Sequence, residues 1–218
     1  MNAINHTATA LLIHNKWPHV PILPVLISVQ LVEVLWVALN FLGIEAVETE
    51  AQVHSLADIH LAHMPWSHSI GVTLVIAAAV WALCALLLKR PGWGAALALG
   101  VCSHIVLDLI THAPDIVIAP GFENAKYGTG LYAVPLWAFA LEFIYGLVCW
   151  WVFKGSKALL ACIVVFNLGA LSFYAAWLVG PEQFFAGAPL IFVGVVAVHI
   201  VTSWAAIWFF ARQEWGQG

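Results

Sequence analysis

Long apolar stretches separated by short polar turns run along most of the chain. A helix needs about 20 apolar residues to cross the hydrocarbon core of a bilayer. The first apolar run, over residues 8–13, is too short for that and predicts an interfacial or re-entrant helix. The later runs predict six membrane-spanning helices, over residues 21–44, 65–88, 93–118, 131–153, 158–179 and 188–210.

Composition places the chain among membrane proteins. Of 218 residues, 63% are hydrophobic and 8% are charged, and the mean hydropathy is +0.97, whereas soluble domains carry roughly 25% charged residues. We therefore expect an all-α, polytopic transmembrane helix bundle that forms a single integral-membrane domain over residues 1–218, with the lipid bilayer as its partner. The net charge of −4 gives no indication of nucleic-acid binding.

The cysteines and the first residues exclude two further classes. All four cysteines lie inside apolar runs without paired spacing, which argues against a disulfide framework or a thiolate metal site; they are Cys84, Cys102, Cys149 and Cys162. The first residues lack a basic segment followed by an apolar stretch and a small-residue cleavage site, so we expect no cleaved signal peptide.

The basic residues predict an orientation. Six of the seven fall at alternate ends of the six predicted spans: Lys16, Lys89, Arg90, Lys154, Lys157 and Arg212. The positive-inside tendency then places both termini in the cytoplasm of a cell with this protein in its inner (plasma) membrane. The acidic segment 45–64 and the loop 114–130, which contains Lys126 and Glu123, would face outward.

One predicted helix carries a polar stripe that lipid does not tolerate. His104, Asp108, His112 and Asp115 return to nearly the same face of a helix. Ionisable side chains inside a membrane are costly and mark functional sites. At about 1.5 Å per residue, Glu33, Glu142 and His68 on other spans also fall in the outer half of the membrane.

Imidazole and carboxylate groups are ordinary ligands of a divalent metal, and catalytic zinc sites typically use three protein ligands and keep a position for water. The spacing of His104 and Asp108 directs both at one point, and His68 from the neighbouring span would complete the set. His112 is a further candidate ligand. Glu33 and Glu142 are candidate catalytic groups that would ligate a second metal, orient a histidine or act as general base.

Two other readings stay open. The same stripe would suit a transporter or channel that relays metal ions or protons, and it would also suit a structural protein whose polar residues lock helices together. Transport predicts polar residues in both halves of the membrane. The predicted cytoplasmic halves are nearly bare of them, which favours an enzyme.

The motif residues also resemble a known family. The run Pro65-Trp66-Ser67-His68-Ser69, followed by Ser103-His104-x-x-x-Asp108, is similar to the predicted membrane-bound metal-dependent hydrolases of the YdjM-like group. Gln30-x-x-Glu33-x-x-Trp36, the Asn5-His6 start and His112-x-Pro114-Asp115 also resemble one branch. The resemblance covers residues 1 to about 145 and leaves the spans over residues 158–210 without a motif.

The resemblance implies a function and a ligand set. The family is thought to be distantly related to the zinc phospholipase C and single-strand nuclease superfamily, so His68, His104 and Asp108 carry over as metal ligands. His6, Glu33 and Glu142 carry over less directly, because many members have Asp at the position of Glu33 and Gly at that of Asn5. The predicted topology brings His6 to the site only if the first helix re-enters the bundle.

Together these arguments predict a metal-dependent hydrolase of phosphoesters in the outer half of the membrane. The metal would be a divalent ion, with zinc as the leading candidate. The substrate would be a phospholipid or a small phosphoester.

Overall fold

Helices make up most of the computed structural model, which describes residues 1–122 and 124–212; Glu123, part of the predicted outward loop, lies outside the described residues. The α-helices, in chain order, are α1 (Ala3–Lys16), α2 (Ile22–Val29), α3 (Leu31–Phe41), α4 (Ile70–Ala82), α5 (Pro91–Thr111), α6 (Pro135–Phe153), α7 (Lys157–Gly169) and α8 (Pro189–Arg212). A π-helical stretch, Leu83–Leu87, continues α4.

Short strands and 3-10 helices make up the connections near the site. Strand β1 (Ala46–Thr49) pairs antiparallel with β2 (Ile59–His63), and β3 (Ile116–Val117) pairs antiparallel with β4 (Lys126–Tyr127). The 3-10 helices are Leu56–Asp58, Leu131–Ala133, Leu171–Tyr174 and Pro181–Phe185. Residues of β2, β4 and the first three of these 3-10 helices line one cavity, described below.

The chain is an integral membrane protein by the length and hydropathy of its helices, but six spans are not confirmed. Within the described residues, four helices are long and apolar enough to cross a membrane: Ile70–Leu87, Pro91–Thr111, Pro135–Phe153 and Pro189–Arg212. The pair α2 and α3 makes a fifth if it counts as one span bent by 51°. The predicted span 158–179 is shorter than expected, because α7 ends at Gly169 and a 3-10 helix follows.

Helix α1 lies inside the bundle. Most of its residues are buried, and it packs against α2, α5, α6 and α8. Its buried hydroxyls have partners, since Thr7 Oγ1 lies 2.9 Å from Ser203 Oγ and Thr9 Oγ1 lies 2.8 Å from the Tyr145 hydroxyl. The first helix therefore enters the bundle, which was the condition for bringing His6 to the site.

The first predicted span breaks at Gln30. Its side-chain amide donates hydrogen bonds to the carbonyl of Ala3, at 2.7 Å, and to Thr7 Oγ1, at 3.1 Å. A polar side chain in this region of a membrane protein needs such partners. The break thus lies against the first turns of α1, which α2 also contacts.

A glycine sets how closely α5 approaches α2. A Cβ atom built on Gly100 would collide with Ser28 Oγ and would lie 3.0 Å from Ser28 Cβ and 3.4 Å from Val29 Cγ1. Close approach of two helix backbones in membrane proteins depends on small residues of this kind. The contact matters for the site, because α5 carries two of its side chains.

We expect Gly100→Val to lower the melting temperature of the detergent-purified protein, since overpacking a tight contact costs about 1–3 kcal/mol. Gly194→Val on α8 is the matched control, because a Cβ there would meet nothing within 4 Å. Equal melting temperatures for the two variants would contradict the close packing of α2 on α5.

Candidate metal centre

Four side chains from three segments of the chain come together. Glu33, His68, His104 and Asp108 each offer one ligand atom, and these atoms all lie within 4.8 Å of one another. His104 and Asp108 come from α5, and Glu33 comes from α3. His68 was expected inside the helix of the second predicted span. It lies just before the helix instead, because α4 begins at Ile70 with the hydroxyl of Ser69 as its N-terminal cap.

The histidine–carboxylate distances in the group are close to those between neighbouring ligands of one metal ion. His104 Nε2 lies 3.2 Å from Glu33 Oε2 and 3.1 Å from Asp108 Oδ2. His68 Nε2 lies 3.2 Å and 3.6 Å from the same two oxygens. Zinc bonds of 2.0–2.1 Å in tetrahedral geometry separate neighbouring ligand atoms by about 3.3 Å. The group could therefore hold a metal ion.

The break between α2 and α3 at Gln30 also orients the ring of His104. His104 Nδ1 lies 2.9 Å from the carbonyl oxygen of Val29, the last residue of α2. A carbonyl only accepts hydrogen bonds, so Nδ1 carries the proton that it donates. In the neutral ring, Nε2 then presents its lone pair to the two carboxylates, which is the tautomer that a metal needs.

Ser67 and the buried Glu45 orient the ring of His68. The Ser67 hydroxyl donates to Glu45 Oε2 at 2.6 Å, so its oxygen is left to accept the proton of His68 Nδ1, 2.9 Å away. Glu45 Oε1 also accepts the backbone N–H groups of Trp66 and Ser67, each at 2.8 Å. His68 Nε2 is thereby left with its lone pair directed at Glu33.

Sequence reasoning missed Glu45. It stood in the acidic segment between two predicted spans, with nothing to distinguish it from Glu48 or Glu50. The structure buries Glu45 behind Ser67, whereas Glu48 and Glu50 are exposed. The adjacency of Ser67 and His68 was visible, but their acidic partner more than 20 residues away was not.

The tautomers make the centre a cluster of acceptors. Two imidazole lone pairs and two carboxylate oxygens face one point, and within the described residues Asp108 Oδ2 receives no hydrogen bond. Such a cluster needs positive charge, from a cation or from protons added to the imidazoles. The fixed Nδ1 protons and the short histidine–carboxylate distances favour a divalent cation.

The other oxygen of Asp108 faces a separate set of groups. Asp108 Oδ1 lies 2.8 Å from the Met1 nitrogen, 3.1 Å from His6 Nε2 and 3.5 Å from His112 Nε2. The ring of His6 stacks on that of His104, with centroids 3.9 Å apart. The structure thus brings His6 and His112 to Asp108 but outside the group of four, and their role as metal ligands stays a prediction.

The helix does not extend to His112 and Asp115, the last two residues of the predicted polar stripe. Helix α5 stops at Thr111, and His112 is in an extended conformation. Pro114 accounts for the ending, since the residue before a proline avoids the helical region. His112 Nδ1 lies 3.6 Å from Asp115 Oδ2 across the turn that follows.

Glu142 lies apart from the group of four and has four hydrogen-bond donors. One oxygen accepts the backbone N–H of Asn2 at 2.7 Å and the Asn5 side-chain amide at 3.2 Å. The other accepts the hydroxyls of Tyr132, at 3.1 Å, and Tyr174, at 3.0 Å. Its contacts fix the start of the chain beside Asp108, and a catalytic role for Glu142 stays a prediction.

The two tyrosines that bind Glu142 keep their protons. Burial, reinforced by the nearby Glu142 carboxylate, raises the pKa of Tyr132 and of Tyr174 well above the ordinary value for a phenol. Both lie in 3-10 helices outside the candidate spans. Sequence reasoning missed them, because short 3-10 turns carry no periodic signal.

A cavity of about 480 Å³ opens onto the centre. His6, Glu33, His68 and His112 line its polar end. The Glu33 side chain is 20% exposed, whereas those of His68, His104 and Asp108 are at most 2% exposed. Of the four grouped residues, Glu33 is therefore the one most open to a ligand in the cavity.

No family model, curated protein or solved structure matches this chain. The chemical interpretation therefore depends on the geometry of the described residues. The resemblance to the YdjM-like group stays a prediction.

We expect the purified protein to retain about one divalent ion per chain after dialysis, as a site with three or four protein ligands should. Single changes of His68, His104 or Asp108 to Ala should each release it, because loss of a second-sphere partner alone costs 10–100-fold in affinity. Elemental analysis gives the metal content. His54→Ala, on the exposed hairpin loop, is the control and should retain the ion; unchanged content in all three site variants would leave a purely structural polar cluster.

Proposed function

We propose that this protein is an integral-membrane, metal-dependent hydrolase of phosphoesters. The observation that carries the proposal is the group of four ligand atoms within 4.8 Å of one another. Hydrogen bonds at Nδ1 orient both histidines, and a cavity opens onto the group. A ligand set of two imidazoles with carboxylates favours zinc over magnesium or calcium, which prefer all-oxygen ligands. A bound divalent ion would supply a Lewis acid and lower the pKa of a bound water to about 7.

The exposures of the four residues suggest different roles. His68, His104 and Asp108 are fully enclosed and would hold the ion. Glu33 lines the cavity, and its Oε2 lies 3.2 Å from both Nε2 atoms, beside the position that a catalytic site keeps open. We assign Glu33 the role of general base, which takes the proton of the attacking water.

We expect Glu33→Gln to retain the metal ion but to lower the rate of hydrolysis of a chromogenic phosphodiester by about 10²–10⁴-fold, the usual cost of losing a general base. Metal content and turnover are measured on the same preparation. Glu48→Gln, on the exposed strand β1, is the matched control and should leave both unchanged.

The opposite result is equally informative. Loss of the ion from Glu33→Gln would make Glu33 a fourth protein ligand, and closed four-ligand sites are structural rather than catalytic. Wild-type protein that binds the ion and cleaves no ester in a broad panel would also contradict the proposed function.

A transporter receives less support from the packing below the site. On α1, an apolar stretch separates the buried polar side chain of Thr9 from the next one, His14. Ala10, Leu11 and Ile13 then pack into an apolar core cluster together with Cys149, Leu159 and Ile207. A path for ions along α1 would have to cross this cluster.

We further propose that the site faces the outer half of a bacterial inner membrane. The first turn of α1 contacts Asp108 and its last turn carries Lys16, so the helix leads from the site toward a basic end. The positive-inside tendency places such an end in the cytoplasm. In this orientation Arg212 lies in the cytoplasm, whereas residues 1–6 lie within the bundle beside the site instead of in the cytoplasm.

We expect a reporter fused after Arg212 to be cytoplasmic and one inserted next to Glu123 to be external. Paired reporters that are active on opposite sides of the membrane measure this directly. The reverse result would turn the cavity toward the cytoplasm and change the available substrates, while the ligand group would be unaffected.

A further inference from the structure

We propose that the substrate is a lipid phosphoester whose apolar chain occupies the part of the cavity beside α8. This inference rests on the proposed hydrolase function and narrows its substrate from phosphoesters in general to membrane amphiphiles. Three observations carry it: the lining of the cavity, its position at the bundle surface and the distribution of its polar groups.

The cavity is far larger and more apolar than a small phosphoester requires. Its volume of about 480 Å³ continues from the metal centre to a wall of aromatic and aliphatic side chains, formed by Trp36, Phe173, Phe192, Val195 and Val196. Specific ligand sites place apolar ligand parts against such walls and reserve their few polar groups for orientation. A ligand with a single polar end and an apolar chain fits this division.

The apolar wall reaches the surface of a membrane-spanning helix. Val195 lines the cavity and is 40% exposed, and it lies on α8, one of the four candidate spans. The neighbouring Ile191 and Val198 are 54% and 64% exposed, so this face of α8 is apolar where it would meet lipid. An acyl or prenyl chain could enter from the bilayer without crossing water.

The short helix α7 leaves room for this entrance. It ends at Gly169, and the following residues Ala170 and Phe173, which belong to irregular backbone and a 3-10 helix, line the cavity instead. Non-helical backbone at membrane depth is tolerated where protein buries it or where it lines a cavity. In this proposal, the non-helical residues that follow Gly169, where a fifth span was predicted, form part of the substrate path.

Charged groups line the cavity at the metal centre and at the two hairpins, where Lys126 of β4 and His60 of β2 contribute. Lys126 supplies a positive charge that suits a phosphate or an anionic headgroup. On α8, His199 adds one polar side chain to a lining that is otherwise apolar there. The cavity thus presents charge at the centre and the hairpins and mostly hydrocarbon at α8, which suits a lipid with a phosphate at one end.

We expect a chain-length series of chromogenic alkyl phosphodiesters, from ethyl to octyl and below their micelle concentrations, to show kcat/KM rising about fourfold per methylene, the factor for moving one methylene from water into an apolar site. Val195→Trp should narrow the apolar part of the cavity and abolish this rise. Val198→Trp, one turn away on the exposed face of α8 and outside the cavity lining, is the matched control and should keep the rise.

A second measurement does not depend on turnover or on the folding of a variant. A non-hydrolysable alkyl phosphonate with a diazirine at the end of its chain should label residues 192–199 of the wild-type protein in lipid nanodiscs. Label spread over other helices, or kcat/KM independent of chain length, would overturn the lipid substrate while hydrolysis of short esters would still support the proposed function. Label at residues 192–199 without cleavage of any ester would overturn the hydrolase and retain the lipid site.

Discussion

The need to compensate four buried acceptor groups shapes the surroundings of the centre. Two carboxylates and two imidazole nitrogens face one another where water is scarce, and isolated buried charges cost several kcal/mol each. Among the described residues, Asp108 Oδ1 contacts the Met1 nitrogen and His6, whereas Asp108 Oδ2 receives no hydrogen bond. The Nδ1 atoms of His104 and His68 are bonded on their far sides, to the Val29 carbonyl and to Ser67, and this leaves the acceptor atoms facing one another for a cation.

The irregular parts of the helices occur where this centre needs them. The break at Gln30 separates α2 from α3, and it is the carbonyl just before this break that fixes the ring of His104. His68 lies in a turn before α4, and α5 ends just before His112. Each interruption costs backbone hydrogen bonds, which a membrane does not replace. Their concentration around one cavity indicates a functional constraint rather than poor helix-forming sequence.

The sequence predicted the helical membrane class and the residues of the centre more readily than the number of spans. His104 and Asp108 share a helix face by their spacing alone, and depth along the predicted spans placed Glu33 and His68 in the outer half of the membrane with them. Hydropathy could not show that α7 ends at Gly169, because the residues beyond it are as apolar as those before. Nor could it find Glu45, Tyr132 or Tyr174, whose roles depend on contacts between distant segments.

Helix α1 shows why such contacts decide the site. It is too short and too polar to cross a bilayer, yet it is almost completely buried, because its Asn and Thr side chains find partners on α6, α7 and α8. Glu142 and the two tyrosines hold its first residues in place, and this brings His6 against Asp108 and His104. A polar helix threaded through an apolar bundle is stable only if its partners are matched one by one. Helix α1 therefore completes the surroundings of Asp108, and its place in the bundle could not be predicted from its own sequence.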